Sequence, residues 1–380
     1  MPDGIPDRTG PGARLRRLAR GRPGTAVAGA LVGALLGTGV MAWRSGELPL
    51  VPHDVCWGAL SSDDLDGLFS DEGDIRARET PLDHALGTGP AGATQCGIQQ
   101  WQDDELKSEV TAEVKELDKY RGKDGREWPE EFLSSRMVPL DGPDGEVTGM
   151  VSPSRAWVAL PATCRGGKDD PPTIVSLVSG RSDTREQDQS EARTYRAALA
   201  RAVVHLANGV MDEYGCSGRY ADPDPDKLAP LAPLKAQKYA EDLCGLKGVR
   251  LPEWARPSEE GSRGMRATST RAGFVHSCEV GRHMETDGLR LTTIEDPRLA
   301  QAVAPLAYSG TPRFEGDGEG SVVGDLAVYR LSCQTGQVVF TVRDLDRLYE
   351  RSVVAAVLPS YVRAQAKRIG CGEVRVEPGE

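Results

Sequence analysis

The chain is poor in aromatic residues, which make up 5% of its 380 residues, and it contains only five histidines. None of these histidines lies in a HExxH frame, and no GxSxG, SxxK or phosphate-binding glycine loop is present. These absences argue against the common metalloprotease, serine hydrolase and nucleotide-binding classes. A hydrophobic fraction of 39% argues equally against a wholly disordered chain. We therefore predict a globular protein that is not an enzyme, with no cofactor and no catalytic or metal-binding residues.

Positive charge is scarce in most of the chain, whose formal net charge is -11. Residues 1–24 are the exception, with six arginines and two aspartates, so that 40 basic and 55 acidic residues follow them. Because nucleic acid is bound through basic patches, nucleic acid is excluded as an expected partner. Cationic peptides or basic surfaces of envelope proteins fit the charge better.

Charge is absent altogether between Pro23 and Trp43. A helix of about 20 apolar residues spans the roughly 30 Å of a membrane's hydrocarbon core. Arginines before the segment place the N-terminus in the cytoplasm by the positive-inside rule. We predict a basic cytoplasmic tail over 1–24, one transmembrane helix over 25–43, a juxtamembrane linker over 44–53, and an extracytoplasmic remainder.

Two further questions concern this apolar segment. A cleaved signal peptide stays open as an alternative, because residues 40–42 would suit a signal peptidase, although the apolar run is long for such a peptide. Gly29, Gly33 and Gly37 recur at four-residue spacing, so a helix would carry them on one face and allow close packing with another helix. A homodimer through this face is a hypothesis, and a chance pattern of abundant glycine is the alternative.

Cysteine is missing before position 56, and eight cysteines follow. An even number outside the cytoplasm predicts disulfides, although the number alone leaves their pairing open. The gaps between cysteines follow the order short, long, intermediate twice, which predicts two copies of a four-cysteine unit. Within each copy we expect the first cysteine to pair with the second and the third with the fourth. These pairs are Cys56 with Cys96, Cys164 with Cys216, Cys244 with Cys278, and Cys333 with Cys371.

The sequence around the cysteines predicts an α+β fold. Each unit has two strand-like pieces near its third cysteine, read as a hairpin, and ends in a helix that runs into Gly-Cys. The apolar stripe of Leu199, Val203 and Leu206 matches that of Val354 and Leu358. Strands with one packed helix give an α+β layer. The predicted domains are 54–216 and 241–372, two related disulfide-stapled units, with a Pro/Asp-rich linker over 217–240 and a C-terminal tail over 373–380.

Several residue patterns that suggest a metal or ligand site lack the residues or the spacing that such a site requires. His276, Cys278 and His283 form an incomplete metal set, since Cys278 is wanted for a disulfide. The alternating aspartates at 222–226 miss the glycine and glutamate of a calcium loop. The stretch 314–324 is expected to be a flexible acidic loop, and His205 a partly buried structural residue. Core packing is the expected role of three tryptophans, namely Trp57, Trp101 and Trp254.

The segments CWGAL at 56–60 and CGIQQW at 96–101 resemble the outer sensor domains of mycobacterial transmembrane serine/threonine kinases and related actinobacterial lipoproteins of unknown function. The resemblance covers about residues 54–372, and no kinase domain accompanies it. It implies ligand or partner sensing, without active-site residues to transfer.

The expected function is therefore that of a single-pass, membrane-anchored extracytoplasmic module that binds or senses an envelope ligand or a membrane-protein partner. A structural scaffold of an envelope complex and a secreted hydrolase with an unrecognised active site are the alternatives.

Overall fold

A computed structural model describes residues 54–69, 73–82, 93–117, 132–140, 147–164, 170–181, 189–238, 241–256, 264–282, 288–345 and 351–379. The predicted transmembrane helix over 25–43, with Gly29, Gly33 and Gly37, lies outside these residues. Among the residues described, no helix is both long enough and apolar enough to cross a membrane. The residues from Asp54 to Glu380 form one compact unit of α+β structure.

Seven antiparallel strands form the first sheet. A short helix, α1 (Ser62–Leu68), precedes them, and a long helix, α2 (Gln189–Glu213), follows. The strands are β1 (Asp74–Glu79), β2 (Ala93–Gln102), β3 (Glu105–Glu116), β4 (Val138–Pro139), β5 (Gly149–Val151), β6 (Arg155–Ala159) and β7 (Thr173–Ser179). They lie side by side in the order β1-β2-β3-β7-β6-β5-β4. The expected hairpin ahead of the first long helix is the antiparallel pair β6 and β7.

Nine antiparallel strands form the second sheet. They are β8 (Lys235–Ala236), β9 (Arg266–Ala272), β10 (Val275–Gly281), β11 (Leu289–Ile294), β12 (Arg313–Gly316), β13 (Glu319–Val323), β14 (Leu326–Cys333), β15 (Gly336–Asp344) and β16 (Val376–Pro378). Helix α3 (Pro297–Val303) lies between β11 and β12, and helix α4 (Arg351–Arg368) follows β15. From β9 to β15 the lateral order repeats that of the first sheet, and β8 and β16 add the two edges.

Helices α2 and α4 occupy corresponding places and end in the same way. Each buries its predicted apolar stripe against its own sheet. Gly215 and Gly370 then adopt positive φ angles of 65° and 83°, which glycine tolerates because it has no Cβ. The N–H of the next residue, Cys216 or Cys371, donates to a carbonyl five residues back, at 2.8 Å in both cases.

Four disulfides join the cysteines in the pairs expected from the sequence. In both halves the first cysteine has a left-handed backbone, with φ of 53° at Cys56 and 58° at Cys244. Each first cysteine is bound to a cysteine in an inner strand, β2 or β10, and each third cysteine to the cysteine three residues after the end of the long helix. The bonds are Cys56–Cys96, Cys164–Cys216, Cys244–Cys278 and Cys333–Cys371.

The two sheets pack face to face, with α2 and α4 on the outside. Their shared core joins apolar residues of both sheets and of α3. At its centre Trp157, which is 1% exposed, stands edge-on to Phe132 and Phe274 at centroid distances of 6.2 and 6.0 Å. The Trp157 indole N–H donates to the Phe132 carbonyl at 2.8 Å. The first half (54–216) and the second half (241–379) therefore share one interior.

A buried ion pair lies in the same interface. Glu279 on β10 is fully buried and accepts a hydrogen bond from Nε of Arg290 at 2.8 Å. The same carboxylate oxygen accepts from the Ser134 hydroxyl at 3.2 Å and the Ser135 backbone N–H at 3.0 Å. A short segment of the first half thus covers β10 of the second.

The Pro/Asp-rich linker follows the surface of α2. Its backbone is tied to the helix because Asn208 exchanges two hydrogen bonds with the main chain of Tyr220, at 2.8 and 2.9 Å. Arg196 donates to the Ala229 carbonyl at 3.0 Å, and Leu228 is buried. This segment (217–238) is called the strap below.

Two details differ from the sequence expectations, and one helix contains a proline. The stretch 314–324 forms the β12–β13 hairpin and not a flexible loop, because Phe314 and Val322 are buried and give it an apolar anchor. Trp254 is 62% exposed and takes no part in the core. Helix α4 begins at Arg351, eight residues before Pro359, and continues past it, although proline disfavours a helix interior.

Candidate binding site

The first cluster with chemical potential surrounds His205 on α2. Its Nδ1 lies 2.9 Å from the Asp64 carboxylate, and its Nε2 lies 3.1 Å from that of Asp222 on the strap. Burial alone would raise the pKa of Asp64, but hydrogen bonds from His205 and Ser61 outweigh it and leave that pKa below its usual value. Arg201 adds an ion pair at 3.1 Å. Each ring nitrogen of His205 is within hydrogen-bond distance of a carboxylate, so neither nitrogen is available to activate a nucleophile. The cluster links α1 and the strap to α2.

A second cluster lies between α4 and the second sheet. Nδ1 of His276 is 2.6 Å from the side-chain nitrogen of Gln365, and the Tyr361 hydroxyl is 2.8 Å from that of Thr293. Burial, helped by Arg368, lowers the pKa of His276 to about 4. When Cys371 is aligned with Cys216, Gln365 on α4 takes the position of the apolar Val210 on α2, which is a mismatch between the two helices. The mismatch has a structural reason, because Gln365 satisfies a buried histidine.

A small cavity of about 180 Å³ lies between the halves and the strap. Two of its polar side chains each donate one hydrogen bond to the neighbouring main chain, while Nε and one terminal nitrogen of Arg298 are buried without a hydrogen-bond partner among the residues described. The Tyr220 hydroxyl donates to the Ala159 carbonyl at 2.7 Å, and Arg298 donates to the Leu160 carbonyl at 2.9 Å. The Arg298 bond links the second half to the first, and the Tyr220 bond links the strap to the first half. In the part of the chain that the structure describes, no group of three or more His, Cys, Asp or Glu side chains could hold a metal ion.

The strongest binding geometry lies on β1, β2 and β3, on the face turned away from α2. A groove of about 320 Å³ crosses the three strands there. It is called the Gly97 groove, because Gly97 forms its floor. Side chains alternate between the two faces of a strand, so the buried Cys96 and Ile98 face α2 while their neighbours face the groove. The lining residues are Arg78, Glu79, Thr80, Gln95, Gly97, Gln99, Glu109 and Thr111.

Cross-strand hydrogen bonds hold the long side chains of the groove in place. The Gln95 amide donates to Glu113 at 2.8 Å, and the Gln99 amide donates to Glu109 at 3.0 Å. The Thr80 hydroxyl bonds to the main chain of Gln95 on the next strand. Because these side chains are fixed before a ligand arrives, binding would cost little of their conformational freedom.

Tryptophans flank the groove on two sides. The indole N–H of Trp101 donates to Gln99 at 3.3 Å, and the guanidinium of Arg76 lies 5.1 Å above the Trp101 ring. The Trp57 indole donates to the Thr80 carbonyl at 2.8 Å. Both rings are partly exposed. Trp57 also packs against the core of the first half, as expected from the sequence, whereas Trp101 lies outside that core beside the open face.

Gly97 has no structural reason to be glycine. Other strand glycines do: a Cβ on Gly149 or Gly320 would meet a backbone oxygen at 2.5 Å, and one on Gly316 at 2.1 Å. At Gly97 the nearest atom to a Cβ would be a Glu109 carboxylate oxygen at 3.9 Å, an ordinary contact, and its φ is not positive. Glycine weakens a strand interior and often marks a place where a ligand approaches closely.

The second half shows what happens when this face is covered. Cys96 on β2 and Cys278 on β10 are equivalent, because the two strands hold the same place in the lateral order and each cysteine is bound to the first cysteine of its half. Gly97 therefore corresponds to Glu279. The row across Glu279 contains Thr268 and Arg290, and all three residues are buried. Ser134 and Ser135 of the first half cover Glu279, and the Thr268 hydroxyl donates to the Ala232 carbonyl of the strap. The corresponding row in the first half is Arg78, Gly97 and Thr111, which stays accessible.

The groove was not predicted from the sequence. The available signal was the alternation of Gln95, Gly97 and Gln99, which indicates a polar strand face with a glycine at its centre. β1 and β3 come to lie beside this row only through strand pairing in the folded protein, which the sequence of β2 does not indicate.

No family model matches the chain, and neither a curated protein nor a solved structure matches it. The resemblance to actinobacterial sensor domains stays an expectation.

Proposed function

We propose that the chain is a non-catalytic binding or sensing module on the outer side of a cell membrane, anchored by one N-terminal helix. Four disulfides support an oxidising, extracytoplasmic address. The uncharged segment ending at Trp43 supports the anchor. The shared strand order supports descent of the two halves from one unit.

The observation that carries the binding function is the Gly97 groove. It combines fixed polar side chains, accessible volume and a floor glycine that the fold itself does not require. In the second half the same face is used for contact within the chain. The first half therefore retains a contact face, and a ligand from outside the chain is its natural occupant.

The test is thermal unfolding of the full-length, oxidised protein with and without a soluble extract of cell envelope. A ligand present at about 100 times its Kd stabilises the folded state by about 2.7 kcal/mol, which raises the melting temperature measurably. Gly97→Leu should fold and should lose the increase, since the leucine side chain would occupy the floor. An extract that leaves the melting temperature of the wild-type protein unchanged would contradict the proposal.

A further inference from the structure

The chemistry of the Gly97 groove restricts its ligand. All eight lining residues are polar or glycine, and their charged members are one arginine and two glutamates. Protein partners are usually held by buried aromatic or aliphatic anchors, and among the described residues no aromatic or aliphatic side chain lines this groove to receive one. A multivalent anion such as phosphate would meet Glu79 and Glu109 and be repelled.

The remaining chemistry favours a ligand dense in hydroxyl groups. Glutamine amides, glutamate carboxylates and an arginine guanidinium each present two polar atoms in one plane, which suits a pair of adjacent hydroxyls. The Thr111 hydroxyl can both donate and accept, whereas the single O–H of Thr80 already donates to the Gln95 carbonyl, which leaves Thr80 only an acceptor for a ligand. Because Gly97 carries no side chain, a flat ring could rest directly on the backbone of β2.

We propose that the Gly97 groove binds a saccharide, as a short segment of an uncharged polysaccharide chain. This inference rests on the proposed binding function and names its ligand class. The groove volume of about 320 Å³ is at the lower end for ligand sites, which fits a short segment. Cross-strand bonds from Gln95 and Gln99 keep the polar row rigid, as recognition of a hydroxyl pattern requires.

The experiment is isothermal titration calorimetry of the full-length, oxidised protein with short linear oligosaccharides of glucose, mannose, galactose, arabinose and N-acetylglucosamine. At least one should bind, and Gly97→Leu should raise its Kd by about tenfold or more. Thr111→Val, which keeps the side-chain shape but removes the hydroxyl, should also weaken binding. The matched control is Gly180→Leu, which places the same side chain at an exposed site with no atom within 4 Å of its Cβ and should bind as the wild type does.

Three outcomes would overturn the saccharide proposal. One is the absence of binding across the panel, and another is binding that Gly97→Leu and Thr111→Val leave unchanged. The third is competition for the groove by an extract component that resists periodate and is destroyed by protease. Periodate cleaves vicinal diols, so such a component would be a polypeptide and not a saccharide. If the untreated extract still stabilises the protein in a Gly97-dependent manner, the binding function stands and only the ligand class is wrong. If the extract has no effect either, both proposals fail.

Discussion

Replacing Trp157 with alanine tests whether the two halves share one interior. Trp157 is 1% exposed at the centre of the core between the sheets, and its indole binds the Phe132 carbonyl. Truncating a buried tryptophan costs about 3–5 kcal/mol, and the orphaned carbonyl adds about 1 kcal/mol. We expect a loss of roughly 4–6 kcal/mol, a large fraction of the stability of an ordinary domain.

The assay is denaturant unfolding followed by circular dichroism, together with hydrogen exchange of backbone amides. The slowest amides of both sheets should lose protection together, because the residue removed lies in a core that both sheets build. Trp254→Ala is the matched control: it makes the same chemical change at a side chain that is 62% exposed, and it should alter stability by less than about 0.5 kcal/mol. The reasoning is refuted if Trp157→Ala costs less than about 1 kcal/mol, or if only the first half loses protection.

Three further expectations follow from the clusters. Burial, together with the charges of Arg368 and Arg271, lowers the pKa of His276 in the folded state to about 4, and Glu295 interacts with the same two arginines. Because the folded state holds His276 neutral, this residue should lower the free energy of unfolding by about 3 kcal/mol as pH drops from 6.5 to 4. The pH dependence of stability should differ by that amount between wild type and His276→Asn, and parallel curves would disprove it. Because the pKa of Asp64 is lowered in the folded state, the ionised carboxylate contributes to the free energy of unfolding above about pH 4, and this contribution is lost as pH falls through the folded-state pKa. Asp64→Asn should therefore lower the free energy of unfolding by about 1–3 kcal/mol at pH 7 and by progressively less in acid. Replacing both members of Cys333–Cys371 with serine should cost about 4 kcal/mol in urea unfolding, given a separation of 38 residues, and an unchanged midpoint would count against it.

Local patterns accounted for much of the fold. The stripe of Leu199, Val203 and Leu206 predicted α2, and Gly215 predicted its end, because both signals act within a few turns of helix. The cysteine spacing predicted the disulfide pairs, because the spacing repeats. These features need no knowledge of how distant segments meet.

Long-range packing accounted for what the sequence could not show. The stretch 314–324 contains many glycines, which locally favour a loop, but burial of Phe314 against the second sheet makes it a hairpin. Trp254 looks like a core residue by type, and only the chain path leaves it exposed. The groove could not be predicted from the sequence, because Arg78 and Thr111 come to lie on either side of Gly97 through strand pairing, which no local pattern encodes.

The central claim is that a ligand binds over Gly97, and hydrogen exchange with mass spectrometry tests it most directly. The full-length, oxidised protein is exchanged with and without soluble envelope extract. Exchange should slow in peptides covering β1, β2 and β3, should change little around α4, and should not slow in Gly97→Leu. Slowing that lies elsewhere, or that persists in Gly97→Leu, would contradict it.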